Sequence, residues 1–210
     1  MTVQIDPEFV LWSAPERERA GRPLLVLLHG YGSHEGDLFA LAPRLPLAPV
    51  IASLRAPIRE SAGYAWFTMT DSTPGDPAPA NVDAAASAVI DWLDTTESAS
   101  VSLLGFSQGA ALALQLIRHA PDRFAATVAL SGFIASGGHL GDAALKAGKP
   151  PVFWGRGTAD RVIAQDAVDR TAVWLPAHST ETTRIYEGLA HGISPEEFVD
   201  VNHFLLRYAG

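Results

Sequence analysis

The chain has 210 residues, of which 48% are hydrophobic and 18% charged, with a formal net charge of -8 and no cysteine. That is enough chain for one substantial core, and the balance is that of a globular protein, neither disordered nor embedded in a membrane. The acidic charge, without basic patches, argues against a general affinity for nucleic acid, and the missing cysteines exclude disulfides and thiolate metal sites.

The first residues, Met1 to Pro7, show no basic segment followed by an apolar core, so no secretion signal is expected. No run of about 18 apolar residues appears, so no stable membrane insertion is expected and a cytoplasmic location is the default. No repeat or linker interrupts the sequence, which predicts a single domain over 1–210, as a monomer or homodimer.

Residues 8–13 read as an edge strand, and Leu24-Leu-Val-Leu-Leu-His29 as a strand buried on both faces. The glycine-bearing loop His29-Gly30-Tyr31-Gly32-Ser33 follows, then a helix from Asp37 to Leu45 and a strand over 50–54. Residues 58–81 form a long irregular stretch with Trp66, Phe67 and the proline-rich piece 74–79, and a loop of that length is more often functional than idle. Asn81 or Asp83 caps a helix running to about Leu93. The strand 125–131 leads into a glycine-rich loop over 132–149, and the strand 151–155 into Arg156-Gly-Thr-Ala-Asp160. A helix over 165–175, a strand over 181–186 and a last helix opened by Pro195 complete the chain, with Ser194 as its N-cap and Glu197 as capping-box partner. Alternating helices and apolar strands give an α/β fold with a mostly parallel, doubly wound sheet, whose ligands bind at the carboxyl ends of the strands.

One stretch organises the rest. Val101 to Ile117 reads as strand, tight turn and buried helix, and the turn Gly105-Phe106-Ser107-Gln108-Gly109 is a G-x-S-x-G in the context of a nucleophile elbow. The glycines lack the Cβ atoms that would collide there, so Ser107 stands strained at the apex. A serine hydroxyl needs a base, itself oriented by a carboxylate, and on this fold the partners follow in the order acid, then histidine. Asp160 qualifies, one turn past a strand, whereas Asp142 lies mid-loop and Asp166 and Asp169 lie on a helix. Of seven histidines, His191 alone falls between the final strand and the final helix. The developing oxyanion needs two amides: that of Gln108, at the start of the helix, and that of Tyr31, in the loop after the strand 24–29. The histidines and carboxylates show no H-E-x-x-H or comparable spacing, so neither metal nor cofactor is expected.

Six motifs occur in order along nearly the whole chain: His29-Gly-Tyr-Gly, Arg55-Ala-Pro-Ile, Trp66-Phe67, Gly105-Phe-Ser-Gln-Gly-Ala, Gly155-Arg-Gly-Thr-Ala-Asp and His191-Gly-Ile-Ser-Pro-Glu-Glu. Together they resemble the phospholipase/carboxylesterase family of α/β-hydrolases, the small bacterial carboxylesterases related to acyl-protein thioesterases. The resemblance implies a cofactor-free serine hydrolase with Ser107, Asp160 and His191 as triad and the Tyr31 and Gln108 amides as oxyanion donors. It departs where members often carry His-Gly before the acid loop and this chain has Trp154-Gly155, so substrate preference is not carried over. Residues 132–149 are too few for a large cap, which predicts a shallow groove walled by Trp66, Phe67, Phe133, Trp154 and Leu140. The expected substrate is a small short- to medium-chain acyl ester. Alternatives are a lysophospholipid or acyl-protein thioester, transfer of the acyl group to peroxide, or a non-catalytic binding protein on the same fold.

Overall fold

A computed structural model describes residues 3–46, 48–60, 62–69 and 76–209. Within these, seven strands form the central sheet: β1 (Leu11–Trp12), β2 (Leu24–Leu28), β3 (Val50–Leu54), β6 (Val101–Phe106), β7 (Phe124–Leu130), β8 (Pro151–Gly157) and β9 (Thr180–Tyr186). Their order across the sheet is β1-β3-β2-β6-β7-β8-β9, parallel throughout except for β1 against β3. The hairpin β4 (Ile58–Glu60) and β5 (Gly63–Ala65) stands apart from it.

Side chains alternate across β2, so its fully buried run divides between two cores. Leu24, Val26 and Leu28 join the larger core, with α2 (Pro79–Leu93), α3 (Gln108–His119), α4 (Asp142–Gly148) and α5 (Gln165–His178). Leu25 and Leu27 join the smaller one, with α1 (Glu35–Phe39) and α6 (Pro195–Tyr208). Helices on both faces keep the inner parallel strands β2, β3, β6 and β7 dry, which is why these read as nearly unbroken apolar runs, whereas the edge strand β9 is polar and largely exposed.

Several boundaries differ from the sequence expectation. The first edge strand is only Leu11–Trp12, because Pro7 opens a 3-10 turn over Pro7–Phe9. The helix expected over 37–45 starts earlier, capped by His34, and ends at Phe39 before a 3-10 turn containing Pro43. Neither Asn81 nor Asp83 caps α2: Pro79 opens the helix, Asn81 donates to Thr68 Oγ1 at 3.1 Å, and Asp83 faces α3. The stretch 58–81 contains the β4–β5 hairpin, while residues 70–75, with the start of the proline-rich piece, lie outside the described residues. Helix α5 continues through Pro176 to His178, whose ring bonds the Trp174 carbonyl at 2.7 Å. Between β7 and β8 only α4 is inserted, so this connection supplies no large cap.

Candidate active site

The register of the sheet brings the reactive loops together. Leu28 pairs with Gly105 and Phe106 with Leu130, so the loops after β2, β6 and β7 emerge side by side at the carboxyl edge. Ser107 sits between β6 and α3 at φ 55° and ψ -115°, a left-handed backbone that a non-glycine residue adopts only under strain. Its surroundings hold it there. The Ser107 amide donates to the Leu130 carbonyl at 2.8 Å, and the Ser107 carbonyl accepts from the amides of Ala110 and Ala111 at 3.0 Å each. A Cβ on Gly105 would overlap the Gly109 carbonyl, and one on Gly109 would overlap the Leu28 carbonyl. Only glycines let the strand, the helix and the neighbouring strand approach this closely.

Strands β8 and β9 supply the other two side chains. The loop after β8 is laced to the loop after β9: the Thr158 amide donates to the Tyr186 carbonyl and the Ala159 amide to the Leu189 carbonyl, both at 3.0 Å. The Gly188 amide returns a bond to Thr158 Oγ1 at 2.9 Å. Asp160 Oδ1 accepts from the amides of Val162 and Ile163 at 2.9 and 3.3 Å, which leaves Oδ2 for His191 Nδ1 at 2.7 Å. His191 Nε2 then lies 2.9 Å from Ser107 Oγ. The ring of Phe106 packs 5.0 Å from the imidazole, centroid to centroid, and limits where it can swing.

Among the described residues the amides of Tyr31 and Gln108 make no backbone hydrogen bond, whereas Gly32 donates to the Tyr64 carbonyl at 2.9 Å and Ser33 to the Gly30 carbonyl at 3.2 Å. A Cβ on Gly30 would stand 3.5 Å from that of Ser107, so the Tyr31 loop lies directly against the elbow. Two side chains that sequence reasoning passed over hold this loop. His29 is fully buried: Nδ1 bonds the Gly30 carbonyl at 2.8 Å and Nε2 accepts from the Ala56 amide at 3.1 Å. Burial holds its pKa below the ordinary value, so it is a neutral strut with both nitrogens engaged. The Gln108 side chain accepts from the Trp66 amide at 2.8 Å and donates to the Phe67 carbonyl at 2.7 Å, while Trp66 Nε1 donates to the His29 carbonyl at 2.8 Å. The signal in the sequence was polar groups at positions that the pattern makes apolar.

The groove walls expected from the sequence are not where it put them. Trp66, Phe67, Phe133 and Trp154 are 1–3% exposed and pack in the larger core, because each finds apolar neighbours between sheet and helices. Trp154 also spends its indole N–H on the Gly132 carbonyl at 3.0 Å. Leu140 is the opposite case, almost wholly exposed. Tyr31 is exposed and Phe106 half-buried, which leaves these two rings at the opening. Behind Asp160 lies a cavity of about 40 Å³ lined by Ser131, Arg156 and Thr158, among others. Ser131 Oγ and Arg156 Nε have no hydrogen-bond partner among the described residues, and a cavity of this size has room for a water molecule to serve them.

A parallel sheet in this order, with a serine at the strand–helix elbow, has the α/β-hydrolase fold. The chain belongs to the phospholipase/carboxylesterase family, matching it over residues 14–208. It is 35% identical to acyl-protein thioesterase 1 of Candida albicans over 109 residues, 48% of this chain and 46% of that protein. The chain thus spans about half the length of the acyl-protein thioesterases it matches. It is 29% identical to esterase YpfH of Escherichia coli over 84% of this chain and 78% of the other. Among solved structures, esterase PE8 superimposes with a TM-score of 0.76 at 26% identity, covering 99% of this chain and 100% of the other. The Bacillus cereus carboxylesterase superimposes with a TM-score of 0.79 at 19% identity, covering 94% and 93%, and speaks for the fold alone.

Proposed function

We propose that the protein is a serine carboxylesterase acting on short- to medium-chain acyl esters, with Ser107 as nucleophile, His191 as general base and Asp160 as its orienting carboxylate. The observation that carries this reading is the unbroken hydrogen-bonded relay from Ser107 Oγ through His191 to Asp160, beside a serine held at positive φ. Asp160 accepts from Nδ1–H, which leaves the Nε2 lone pair facing the serine hydroxyl. As Ser107 Oγ attacks the acyl carbon, His191 Nε2 takes its proton. The amides of Tyr31 and Gln108 receive the oxyanion, the second aided by the dipole of α3. Collapse of the tetrahedral intermediate releases the alcohol, which takes the proton back from His191. Water then attacks the acyl-enzyme by the same route in reverse.

The preference for shorter acyl chains is supported by the small insertion between β7 and β8 and by the burial of the aromatics that would otherwise line a long tunnel. Names among the relatives favour one second reading, cleavage of acyl thioesters on proteins. Rates on p-nitrophenyl esters from acetate to palmitate, with Ser107→Ala alongside, separate these. The expected profile peaks at short chains, and the variant loses about 10⁶ in kcat. A peak beyond about ten carbons shifts the substrate to lipid or acyl-protein, and a variant only fewfold slower removes Ser107 from the chemistry.

A further inference from the structure

At the end of α3 opposite Ser107, three elements bring together side chains that are distant in the sequence. Asp83 projects from α2, His119 ends α3, and His139 lies in the loop between β7 and α4. One donor atom from each lies within 4.8 Å of the other two, and among the described residues no other trio of histidine, aspartate or glutamate does this. His119 Nε2 is 2.9 Å from an oxygen of Asp83, and the two imidazole rings lie 4.6 Å apart between centroids. Donors around a tetrahedral ion with bonds of 2.0–2.1 Å stand roughly 3.3 Å apart, so modest side-chain rotations close the set.

We propose that Asp83, His119 and His139 bind a transition-metal dication of the zinc class, with water completing the coordination. Two imidazoles and one carboxylate suit zinc, cobalt or nickel better than calcium or magnesium, which prefer oxygen alone. The surroundings are those of a supported site. Gln115, itself buried, donates to Asp83 Oδ1 at 2.6 Å and leaves Oδ2 without a partner among the described residues. The His139 amide donates to Asp142 Oδ2 at 2.9 Å, which fixes the loop, while His139 Nδ1 accepts from the Gly141 amide at 3.1 Å, a bond the ring gives up when one of its nitrogens binds the metal and the other carries the proton.

Asp142 also takes up the guanidinium of Arg118 through two bonds of 2.8 Å, so two carboxylates against one fixed cation leave the pocket a net charge of -1. The carboxyl end of α3 adds its negative dipole. The side chains of His119 and Asp83 remain 20% and 40% exposed, which gives an ion a way in. Binding replaces the proton that His119 Nε2 shares with Asp83 and takes one ring nitrogen of His139. The site lies roughly 18 Å along α3 from the serine, so its part is to tie α2, the end of α3 and the following loop together rather than to touch the ester.

The test is titration of the untagged full chain, freed of metal by chelation, with zinc chloride against a chromophoric chelator, together with thermal unfolding. The expected result is one equivalent bound with Kd in the micromolar range or below. A hundredfold excess over Kd then raises Tm by about 5 °C or more. His119→Gln and His139→Gln each weaken binding at least tenfold, with the Tm of each metal-free variant showing that it is folded. His191→Ala leaves the stoichiometry unchanged, which separates this site from the serine relay, and ester hydrolysis continues in both glutamine variants. Unaltered zinc affinity in both glutamine variants, or no saturable binding and no rise in Tm for the native chain, overturns the proposal.

Discussion

Asp160 divides its two oxygens between its own turn and His191: one accepts two turn amides, the other receives the imidazole. An asparagine there keeps the turn bonds if its amide oxygen faces them, but presents a donor where an acceptor is required, so His191 settles in the wrong tautomer. Asp160→Asn is therefore expected to unfold at an unchanged urea midpoint while kcat on p-nitrophenyl acetate falls about 10⁴-fold. Near-native turnover in that variant contradicts the role.

Glu197 carries a different consequence. It is fully buried in the first turn of α6, and neither carboxylate oxygen meets hydrogen-bond geometry with a described residue. Burial raises its pKa from 4.5 to about 7, against the weaker pull of the Ser194 amide. Between these two values the folded chain holds a proton that the unfolded chain has released. Stability therefore falls as pH rises through that window, by about 3 kcal/mol in all, and the loss is complete above pH 7. Glu197→Gln should remove this fall and stabilise the protein at pH 8 but not at pH 4, as read from urea unfolding at each pH. An identical pH slope in the variant would count against it. At this scale the sequence showed which residues to bring together at the serine, because loop position alone singles out Asp160 and His191. It could not show Glu197, which pattern reads as half of a capping box, although only the Ser194 half forms, at 3.0 Å to the Glu197 amide.

Among elements, the elbow is the most tightly specified. Gly105 and Gly109 leave no room for a methyl group because backbone carbonyls, which cannot move aside as side chains can, occupy the space. Gly109→Ala is thus expected to cost at least about 3 kcal/mol, measured as a lowered urea midpoint, since β2 must separate from α3 to admit it. A change below about 1 kcal/mol would mean that the elbow is looser than this geometry. The buried parallel strands and α3 were legible as unbroken apolar runs. The starts of α1 and α2 were not, because each has two competing signals: Pro79 outranks Asn81 and Asp83, and His34 caps ahead of Asp37. The β4–β5 hairpin, at three residues a strand, is too short for alternation to announce.

Across the whole molecule, the doubly wound sheet separates what holds the fold from what does the chemistry. The helical faces take up nearly all the aromatic side chains, Trp66, Phe67, Phe133 and Trp154 included, and the carboxyl edge keeps the polar loops. This is why the aromatics expected to wall the groove went to the core: apolar area is worth more between sheet and helices than at an open edge. The same topology explains why Asp83, His119 and His139 were invisible as a set, since 36 and 20 residues separate neighbours that only folding makes adjacent.

A serine esterase of this kind requires Ser107 to be an activated nucleophile. The most direct measurement is exposure of the folded native protein, Ser107→Ala and His191→Ala to a fluorophosphonate, followed by intact mass and peptide mapping. One adduct per chain on Ser107, slowed by orders of magnitude without His191 and absent without Ser107, is the predicted result. Native protein that takes up no phosphonate, or takes it up on another residue at the same rate in all three proteins, would contradict it.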